Sequence, residues 1–166
     1  MNSIIQSTIK TLRKSQVLLD GLTNEQFSDT SVSPYYSSIG SHLRHILDFY
    51  DCIFNADEAG TIDLTARSRN KQFETNCDYA LDYLNQIIGR LSATKFAIDG
   101  VVMVVDDLGM GKIEIGYTYG ALLAQANSHT VHHYAIINYI FDGLGIMIND
   151  CEFGYNATTP KPLNTD

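Results

Sequence analysis

Four stretches of the chain repeat apolar residues at the 3.6-residue period of an α-helix, and this pattern constrains the fold more than any other. The stretches cover residues 2–20, 37–56, 71–91 and 119–141. A helix with one apolar face must bury that face against another element, and 166 residues are enough for one shared core. We therefore predict an all-α fold, a four-helix bundle that occupies residues 1–150 as a single domain.

The segments between these helices are predicted from their turn-forming and β-branched residues. The sequence TNEQF at Thr23 has the spacing of a capping box and predicts a short helical turn. Residues 57–70 are polar and contain glycine, which predicts an irregular connector with at most one turn of helix. Residues 100–116 combine a β-branched run, a turn-rich hexapeptide and an alternating run, which predict a small β-hairpin between the third and fourth helices. Residues 151–166 are predicted to be a partly ordered C-terminal tail.

The composition limits the partners and the compartment that we expect. The formal net charge of -8 and the lack of a basic stripe disfavour binding to nucleic acid. Three widely spaced cysteines, Cys52, Cys77 and Cys151, predict free thiols in a reducing compartment. No apolar stretch approaches the roughly 18 residues of a membrane span, and the N-terminus lacks the pattern of a signal peptide. We therefore expect a cytoplasmic protein that binds neither nucleic acid nor membrane.

All five histidines lie in two of the predicted helices. His129 and His133 are four residues apart, so both rings leave the same face of the fourth helix, within its apolar stripe. Two imidazoles on an apolar face need hydrogen-bond partners or one shared metal ion, and the second helix offers His42 and His45 as a third ligand. Three histidines with open positions would form a catalytic type of metal site. The alternative is that the histidines are ordinary core residues with hydrogen-bond partners.

The pattern leaves the third ligand and the catalytic groups open. On a helical wheel, His42 lies slightly closer than His45 to the apolar stripe of the second helix. His132 falls at the edge of the stripe of the fourth helix, where it would support a ligand or line the rim of the site. Asp48 and Asp51 would either orient an imidazole or simply face solvent. No HExxH, Ser-His-Asp or nucleotide-binding motif is present, so the pattern assigns no catalytic residue and no organic cofactor.

The segments SSIGSHLRHILDFY and SHTVHHYAII resemble the DinB/YfiT-like superfamily, whose members are small metal-binding four-helix bundles. The resemblance covers most of the chain, and its pattern is one histidine on the second helix and HxxxH on the last long helix. It implies a bundle of the up-down-down-up type and a divalent-metal site formed by His45, His129 and His133. It also implies homodimers and either hydrolysis or thiol-dependent transfer, with a small molecule such as a low-molecular-weight thiol as partner. Neutral imidazoles suit borderline ions, so we expect Zn²⁺ or Ni²⁺.

The connector GTIDLTARSRNKQFE is similar to that of one branch of the superfamily, in the positions of Asp63, Arg67, Arg69 and Glu74. Two arginines near an open metal site would hold a substrate carboxylate or a thiolate partner. The other interpretation is an ordinary surface ion-pair cluster. Phe49 stands where members of that branch often carry a further histidine, so a ligand or proton carrier of the branch is missing.

Two functions remain open from the sequence. The first is a metal-dependent hydrolase or thiol-dependent transferase that uses an open three-histidine site. The second is a non-catalytic metal-binding or stress-related binding protein with the same fold. The lack of an evident general base in the sequence favours the second.

Overall fold

This computed structural model describes residues 2–160. They contain six helices and one three-stranded sheet. The helices are α1 (Ser3–Gly21), α2 (Asn24–Ser28), α3 (Ile39–Phe54), α4 (Gln72–Thr75), α5 (Cys77–Ala93) and α6 (Tyr119–Gly143). The strands are β1 (Ile62–Asp63), β2 (Val101–Asp107) and β3 (Lys112–Thr118).

The prediction of an all-α, up-down-down-up-type four-helix bundle is wrong, because the fold is mixed α/β. The sheet has the order β1-β2-β3, with β1 parallel to β2 and β2 antiparallel to β3. The hairpin predicted over residues 100–116 is present as β2 and β3, paired from Val101 opposite Thr118 to Asp107 opposite Lys112. β1 lies in the connector that was expected to be irregular, and its two residues are too few for an alternating pattern to show.

β1 forms because apolar residues of the connector are buried beside β2. Ile62 and Leu64 have no exposed surface, and the Leu64 N–H donates to the carbonyl of Val105. Val102 and Val104 of β2 are also buried, so one face of the sheet belongs to the same core as the helices. Burial of each such side chain contributes about 1.5–3 kcal/mol, which stabilises a sheet that is too small to persist alone.

Three of the long helices have bounds near the predicted ones, whereas the third predicted helix is broken. The segment 71–91 contains two helices, α4 and α5, because Asn76 between them has an extended backbone (φ -135°, ψ 119°). The Asn76 side chain accepts a hydrogen bond from the Tyr79 N–H and so caps α5. The capping box predicted at Thr23 is confirmed, with Gln26 as its partner.

The long helices α1, α3, α5 and α6 pack around one apolar core. α1 contacts α5 and α6, and α3 contacts the same two helices. The core side chains without exposed surface include Leu12, Ile46, Leu47, Leu84, Ile87, Leu122 and Leu123. The two helices that carry the histidines, α3 and α6, are therefore neighbours.

Two buried tyrosines fix the rotation of α6 against its neighbours. Tyr50 of α3 is hydrogen-bonded to Thr130 over 3.1 Å. Tyr134 donates to the carbonyl of Thr11 in α1 over 3.1 Å and also contacts the Ser15 hydroxyl. Burial raises the pKa of both tyrosines, so both phenols stay neutral and can donate. Thr130 and Tyr134 each directly follow one of the two spaced histidines of α6, so these bonds set the direction in which the histidines point.

The chain beyond α6 turns back onto that helix. Phe153 is 1% exposed and stacks on Tyr134 with ring centroids 4.5 Å apart. Gly154 has a φ of +79°, and a Cβ at this position would lie 2.9 Å from the Cα of Ala135. Only glycine allows both this backbone conformation and this close approach to the helix.

The predicted division of the chain into a domain, residues 1–150, and a tail, residues 151–166, stays a prediction. Residues 161–166 of that tail lie outside the described part of the chain. Within residues 2–160, no helix combines the length and the hydropathy that crossing a bilayer requires.

Candidate metal centre

His45, His129 and His133 come together where α3 lies against α6. One nitrogen atom of each ring lies within 4.8 Å of a nitrogen of each of the other two. The Nε2 atoms of His45 and His129 are 3.0 Å apart, and the centroid of the His133 ring is 4.6 Å from that of His45 and 4.5 Å from that of His129. All three residues are half-buried. The three residues predicted as metal ligands therefore form one group that is close enough to hold a metal ion.

The spacing of these nitrogen atoms fits a single ion. Imidazole nitrogens bind Zn²⁺ at about 2.0–2.1 Å, so two such ligands on a tetrahedral ion lie about 3.4 Å apart. The 3.0 Å between the Nε2 atoms of His45 and His129 is close to that value, and the 4.8 Å limit for the whole group is within reach of it by ring rotation. Within residues 2–160, no cysteine or carboxylate joins the group, which leaves coordination positions open.

The two predicted ligands on α6, His129 and His133, lie at the edge of the buried face of this helix. Their position within the stripe of aliphatic residues had placed them at its centre. Thr130 and Tyr134 are buried, and each is rotated by about 100° from the histidine that precedes it. Their hydroxyl groups have hydrogen-bond partners, so these side chains can be buried. A helical wheel that counts only aliphatic residues as inward leaves them out of the buried face. The buried face is therefore centred nearer to Thr130 and Tyr134. This leaves His129 and His133 half-buried at the rim of the core.

His42 supports the group without offering it a ligand atom. Its Nδ1 lies 2.9 Å from Nδ1 of His133, and its Nε2 lies 2.8 Å from the hydroxyl oxygen of Ser37. Both nitrogens of His42 therefore have partners, while Nε2 of His133 stays available for an ion. The helical wheel slightly favoured His42 as the inward residue. Both His42 and His45 face α6, and they differ in which histidine of α6 lies within hydrogen-bond distance: His133 for His42, and His129 for His45.

Arg67, in the connector after β1, places its guanidinium against His45. Its Nη1 lies 2.9 Å from Nδ1 and 3.3 Å from Nε2 of that ring, while its Nε donates to the Leu64 carbonyl over 3.0 Å. The guanidinium carbon is 5.9 Å from the centre of the Phe49 ring, and Phe49 lies against His129 with 5.1 Å between centroids. Phe49, at the position where the family branch often has a further histidine, thus contributes an apolar ring that lies beside both His129 and the Arg67 guanidinium.

The surroundings keep the clustered imidazoles neutral. Burial, and then the nearby Arg67 guanidinium, lower the pKa of His45 to about 3 and that of His129 to about 4. Burial, followed by the neighbouring histidines, lowers the pKa of His133 to about 2. Burial also lowers the pKa of His42. Neutral imidazole is the form that binds metal ions, so protons do not compete for these ligands near pH 7.

Asp106 of β2 is a carboxylate near the site that the sequence pattern did not single out. It is half-buried, and its negative charge raises the pKa of His129 against the larger lowering by burial and Arg67. Val102, Val104 and Asp106 alternate along β2 and so share its inward face. This alternation is the signal that could have identified Asp106.

The two aspartates near His45 in sequence do not serve its ring. The Asp48 carboxylate is buried and accepts a hydrogen bond from Arg44 over 3.0 Å. Asp51 pairs with Arg90, with 2.7 Å between nitrogen and oxygen. His132 is exposed at the rim of the site, where its position on the wheel placed it.

Of the four connector residues that the resemblance singled out, Arg67 is the one whose side chain meets the histidines in the described part of the chain. Asp63 forms an ion pair with Lys112 at the surface, whereas Glu74 is buried and pairs with Arg44 and Lys71. Arg69 has an exposed side chain, and its backbone N–H donates to Asp48 over 3.2 Å.

Neither a family model nor a curated protein matches this chain. The resemblance to the DinB/YfiT-like superfamily therefore stays a prediction based on the two histidine segments, as does the homodimer that it implies. The structure adds that the three histidines of those segments meet in space.

Proposed function

We propose that the protein binds a divalent metal ion through His45, His129 and His133 and acts as a metal-dependent hydrolase or thiol-dependent transferase. The observation that carries this proposal is the group of three imidazole nitrogens within 4.8 Å of one another at the rim of the core. Zn²⁺ and Ni²⁺ are the ions that we expect, because imidazole ligands suit both. The same three residues support membership of the DinB/YfiT-like superfamily, which is part of the proposal.

The residues around the ligands favour metal binding because they fix the rings in advance. A histidine that binds a metal usually makes a hydrogen bond with its second nitrogen, and this bond sets the orientation of the ring. His133 makes such a bond to His42, and Ser37 extends it from the other side of the His42 ring. If His133 held a metal ion, its Nδ1–H would donate to Nδ1 of His42, and the Nε2–H of His42 would donate to Ser37.

The open ligand set supports an enzyme more than a structural site. Closed structural zinc sites take four protein ligands, whereas catalytic sites take three and leave a position for water or substrate. A bound ion in such a site polarises a carbonyl group or lowers the pKa of water or of a thiol.

The chain's own residues support the role of the site in more than one way. Asp106 provides a carboxylate on the inward face of β2 that can accept a proton near His129. Phe49 keeps water from one side of the ligands. Burial raises the pKa of Cys52, the cysteine of α3, to about 11, so this thiol is protonated at neutral pH. The nucleophile therefore comes from solvent or from a substrate thiol and not from Cys52.

Metal content tests the proposal directly. Untagged protein, purified without chelators, is analysed for zinc and nickel beside the variants His129→Ala and His133→Ala. We expect about one metal ion per wild-type chain. The two variants should retain only a small fraction of this metal, since each variant lacks one of the three proposed ligands. His132→Ala is the matched control: because the His132 side chain is exposed and is not one of the proposed ligands, this variant should retain the metal. A metal-free wild type, or full retention in both ligand variants, would contradict the proposal.

The alternative, a non-catalytic metal-binding or stress-related binding protein, is favoured by one observation. Among residues 2–160, the hydrogen-bond partners of the three ligand rings are other histidines and Arg67, and no carboxylate is among them. The metal-loaded protein should therefore be tested with ester, amide and thiol-conjugation substrates. Turnover that is lost in His133→Ala supports the enzyme, whereas silence across these substrates together with the absence of metal-dependent thiol binding supports the alternative.

A further inference from the structure

Three half-buried arginines of this protein differ in how their charge is balanced. Arg44 pairs with Asp48 and with Glu74, at 3.0 Å in each case, and Arg90 pairs with Asp51 at 2.7 Å. Arg67 has no ion-pair partner among the carboxylates of residues 2–160, although it is also half-buried. A partly desolvated cation without a counter-ion is costly, so an anion that pairs with it is favoured.

The contacts of Arg67 hold its guanidinium beside the three-histidine group. Its Nε is anchored on the Leu64 carbonyl at 3.0 Å, next to a strand that is paired into the sheet. Its Nη1 lies 2.9 Å from Nδ1 of His45, and its charged plane is near the Phe49 ring. The unbalanced positive charge is therefore fixed in direct contact with a proposed metal ligand.

The contact between Arg67 and His45 is incompatible with the metal-bound form of that ring. When an ion takes Nε2 of a neutral imidazole, the proton resides on Nδ1, and both ring nitrogens are then unable to accept. The Nη1 donor, 2.9 Å from Nδ1, loses its acceptor in that form. A guanidinium donor must then find another acceptor within reach of the metal site.

We propose that this acceptor is the carboxylate of a small monoanionic substrate, so that Arg67 is the substrate-binding cation of the site. The inference rests on the proposed function, because the carboxylate is placed beside a bound metal ion. A guanidinium matches a carboxylate with two parallel hydrogen bonds, which fixes the direction of the substrate as well as its position. One unbalanced cation suits one negative charge, and the Asp106 carboxylate and a protein net charge of -8 oppose a dianion.

The substrate that this arrangement selects has its carboxylate at Arg67 and its reacting group at the metal. The guanidinium contacts His45 directly, so the two groups of the substrate must be separated by only a few bonds. A carboxylate-bearing thiol or a carboxylate-bearing ester meets this requirement, whereas a neutral thiol or ester meets only half of it.

Two thiols of equal length test the inference through binding rather than turnover. Protein loaded with Co²⁺, whose absorption reports thiolate ligation, is titrated with 3-mercaptopropionate and with 3-mercapto-1-propanol, which has the same three-carbon chain. We expect 3-mercaptopropionate to bind at least about tenfold more tightly than the uncharged thiol, which is the gain that one charge-assisted pair of hydrogen bonds provides. Arg67→Gln should remove this preference, while Lys95→Gln, which removes an exposed positive charge elsewhere, should retain it.

The outcomes separate this inference from the proposed function. Equal affinity of the wild type for the two thiols, or a preference that persists in Arg67→Gln, would overturn the role of Arg67 and leave the metal site intact. Protein that holds no Co²⁺ would overturn the proposed function, and this inference with it. Protein that holds Co²⁺ but binds neither thiol would overturn this inference and the thiol-transfer form of the function.

A second variant guards against a folding defect in Arg67→Gln, which also loses the hydrogen bond to Leu64. Arg67→Lys keeps the charge and loses the planar pair of donors. Its preference for 3-mercaptopropionate should fall between those of the wild type and Arg67→Gln. A preference equal to that of the wild type would contradict carboxylate recognition by the two-donor geometry.

Discussion

Two polar clusters contact α3, and they differ in how their charges are satisfied. The carboxylate cluster, Arg44, Lys71, Asp48 and Glu74, has two positive and two negative charges. The Arg44 guanidinium meets both carboxylates at 3.0 Å, Lys71 meets Glu74 at 2.9 Å, and the Asp48 side chain has no exposed surface. The histidine cluster, His42, His45, His129 and His133, is built from nitrogen atoms that face other nitrogen atoms and one guanidinium. A cluster in which every charge has its partner stabilises the fold, whereas the guanidinium beside the histidine cluster has no ion-pair partner within residues 2–160 and is available to a ligand.

This comparison is tested most severely by removing the centre of the carboxylate cluster. Asp48 also accepts hydrogen bonds from Ser68, Tyr83 and the backbone of Arg69, so Asp48→Ala removes one of the two carboxylates that pair with Arg44 and leaves the buried Tyr83 hydroxyl without its acceptor. We expect a loss of about 3–5 kcal/mol in the free energy of unfolding, measured by urea denaturation of the metal-free protein. Asp51→Ala, which breaks a more exposed pair, should cost about 1 kcal/mol or less. Equal losses in the two variants would argue against a structural role specific to the carboxylate cluster.

A variant of the histidine cluster should have the opposite profile. His133→Ala removes a proposed ligand from the rim of the core, so we expect its metal affinity to fall by more than about 100-fold, beyond the effect of losing a supporting residue. The free energy of unfolding of the metal-free protein should change by about 1 kcal/mol or less, because the ring is half-exposed and has no charge partner. Competition with a chelator and urea denaturation measure the two effects. A large loss of stability without loss of metal would reverse the roles assigned to the two clusters.

The support that His42 gives to His133 predicts a smaller effect within the same cluster. His42→Ala should lower metal affinity by about 10–100-fold, as expected for a residue that orients a ligand without binding the ion. Ser37→Ala, one hydrogen bond further away, should have a still smaller effect of about tenfold or less. The chelator competition used for His133→Ala gives both values. A complete loss of metal in His42→Ala would indicate that His42 is itself a ligand.

The lowered pKa values of the histidines predict a pH dependence of stability in the metal-free protein. Above pH 6.5 these rings are neutral in both the folded and the unfolded chain, so they contribute nothing. Below pH 6.5 the histidines of the unfolded chain bind protons. In the folded chain His129 binds a proton only below about pH 4 and His45 only below about pH 3, so the free energy of unfolding decreases as the pH is lowered. Thermal melts at pH 6.5 and 5.5 measure this fall, which should be smaller in His129→Ala. An unchanged slope in that variant would show that other groups cause the effect.

The sequence predicts the long helices and the group of three histidines better than the parts of the molecule that surround them. Helical periodicity extends over many residues, so α1, α3 and α6 are identified, and the i, i+4 spacing brings His129 and His133 to one face. The break at Asn76 was missed because a single extended residue does not interrupt the apolar period of its flanks. β1 was missed because its partner, β2, is about 40 residues further along the chain, and pairing over such a distance leaves no local signal.

The chemistry around the ligands depends on contacts that no spacing rule contains. Periodicity cannot show that Arg67 lacks a carboxylate partner while Arg44 has two, because all of these residues have the same polar character in a pattern. The centre of the buried face of α6 also differs from the one that the aliphatic residues predict, because Thr130 and Tyr134 are buried and make hydrogen bonds to α3 and α1. The pair His129 and His133 follows from helical spacing and His45 from the family resemblance, whereas the charges around these three histidines follow only from the tertiary structure.

The rim position of the histidines means that this protein can vary its chemistry without redesigning its interior. Substitution of a half-exposed ring leaves no large void, and the bonds of Tyr50 and Tyr134 continue to hold α6 in the same register. Descendants of such a scaffold can gain, lose or exchange a metal by point mutation while selection for folding acts on other positions. The same separation makes positions 45, 129 and 133 suitable for engineering new ligand sets on an unchanged backbone.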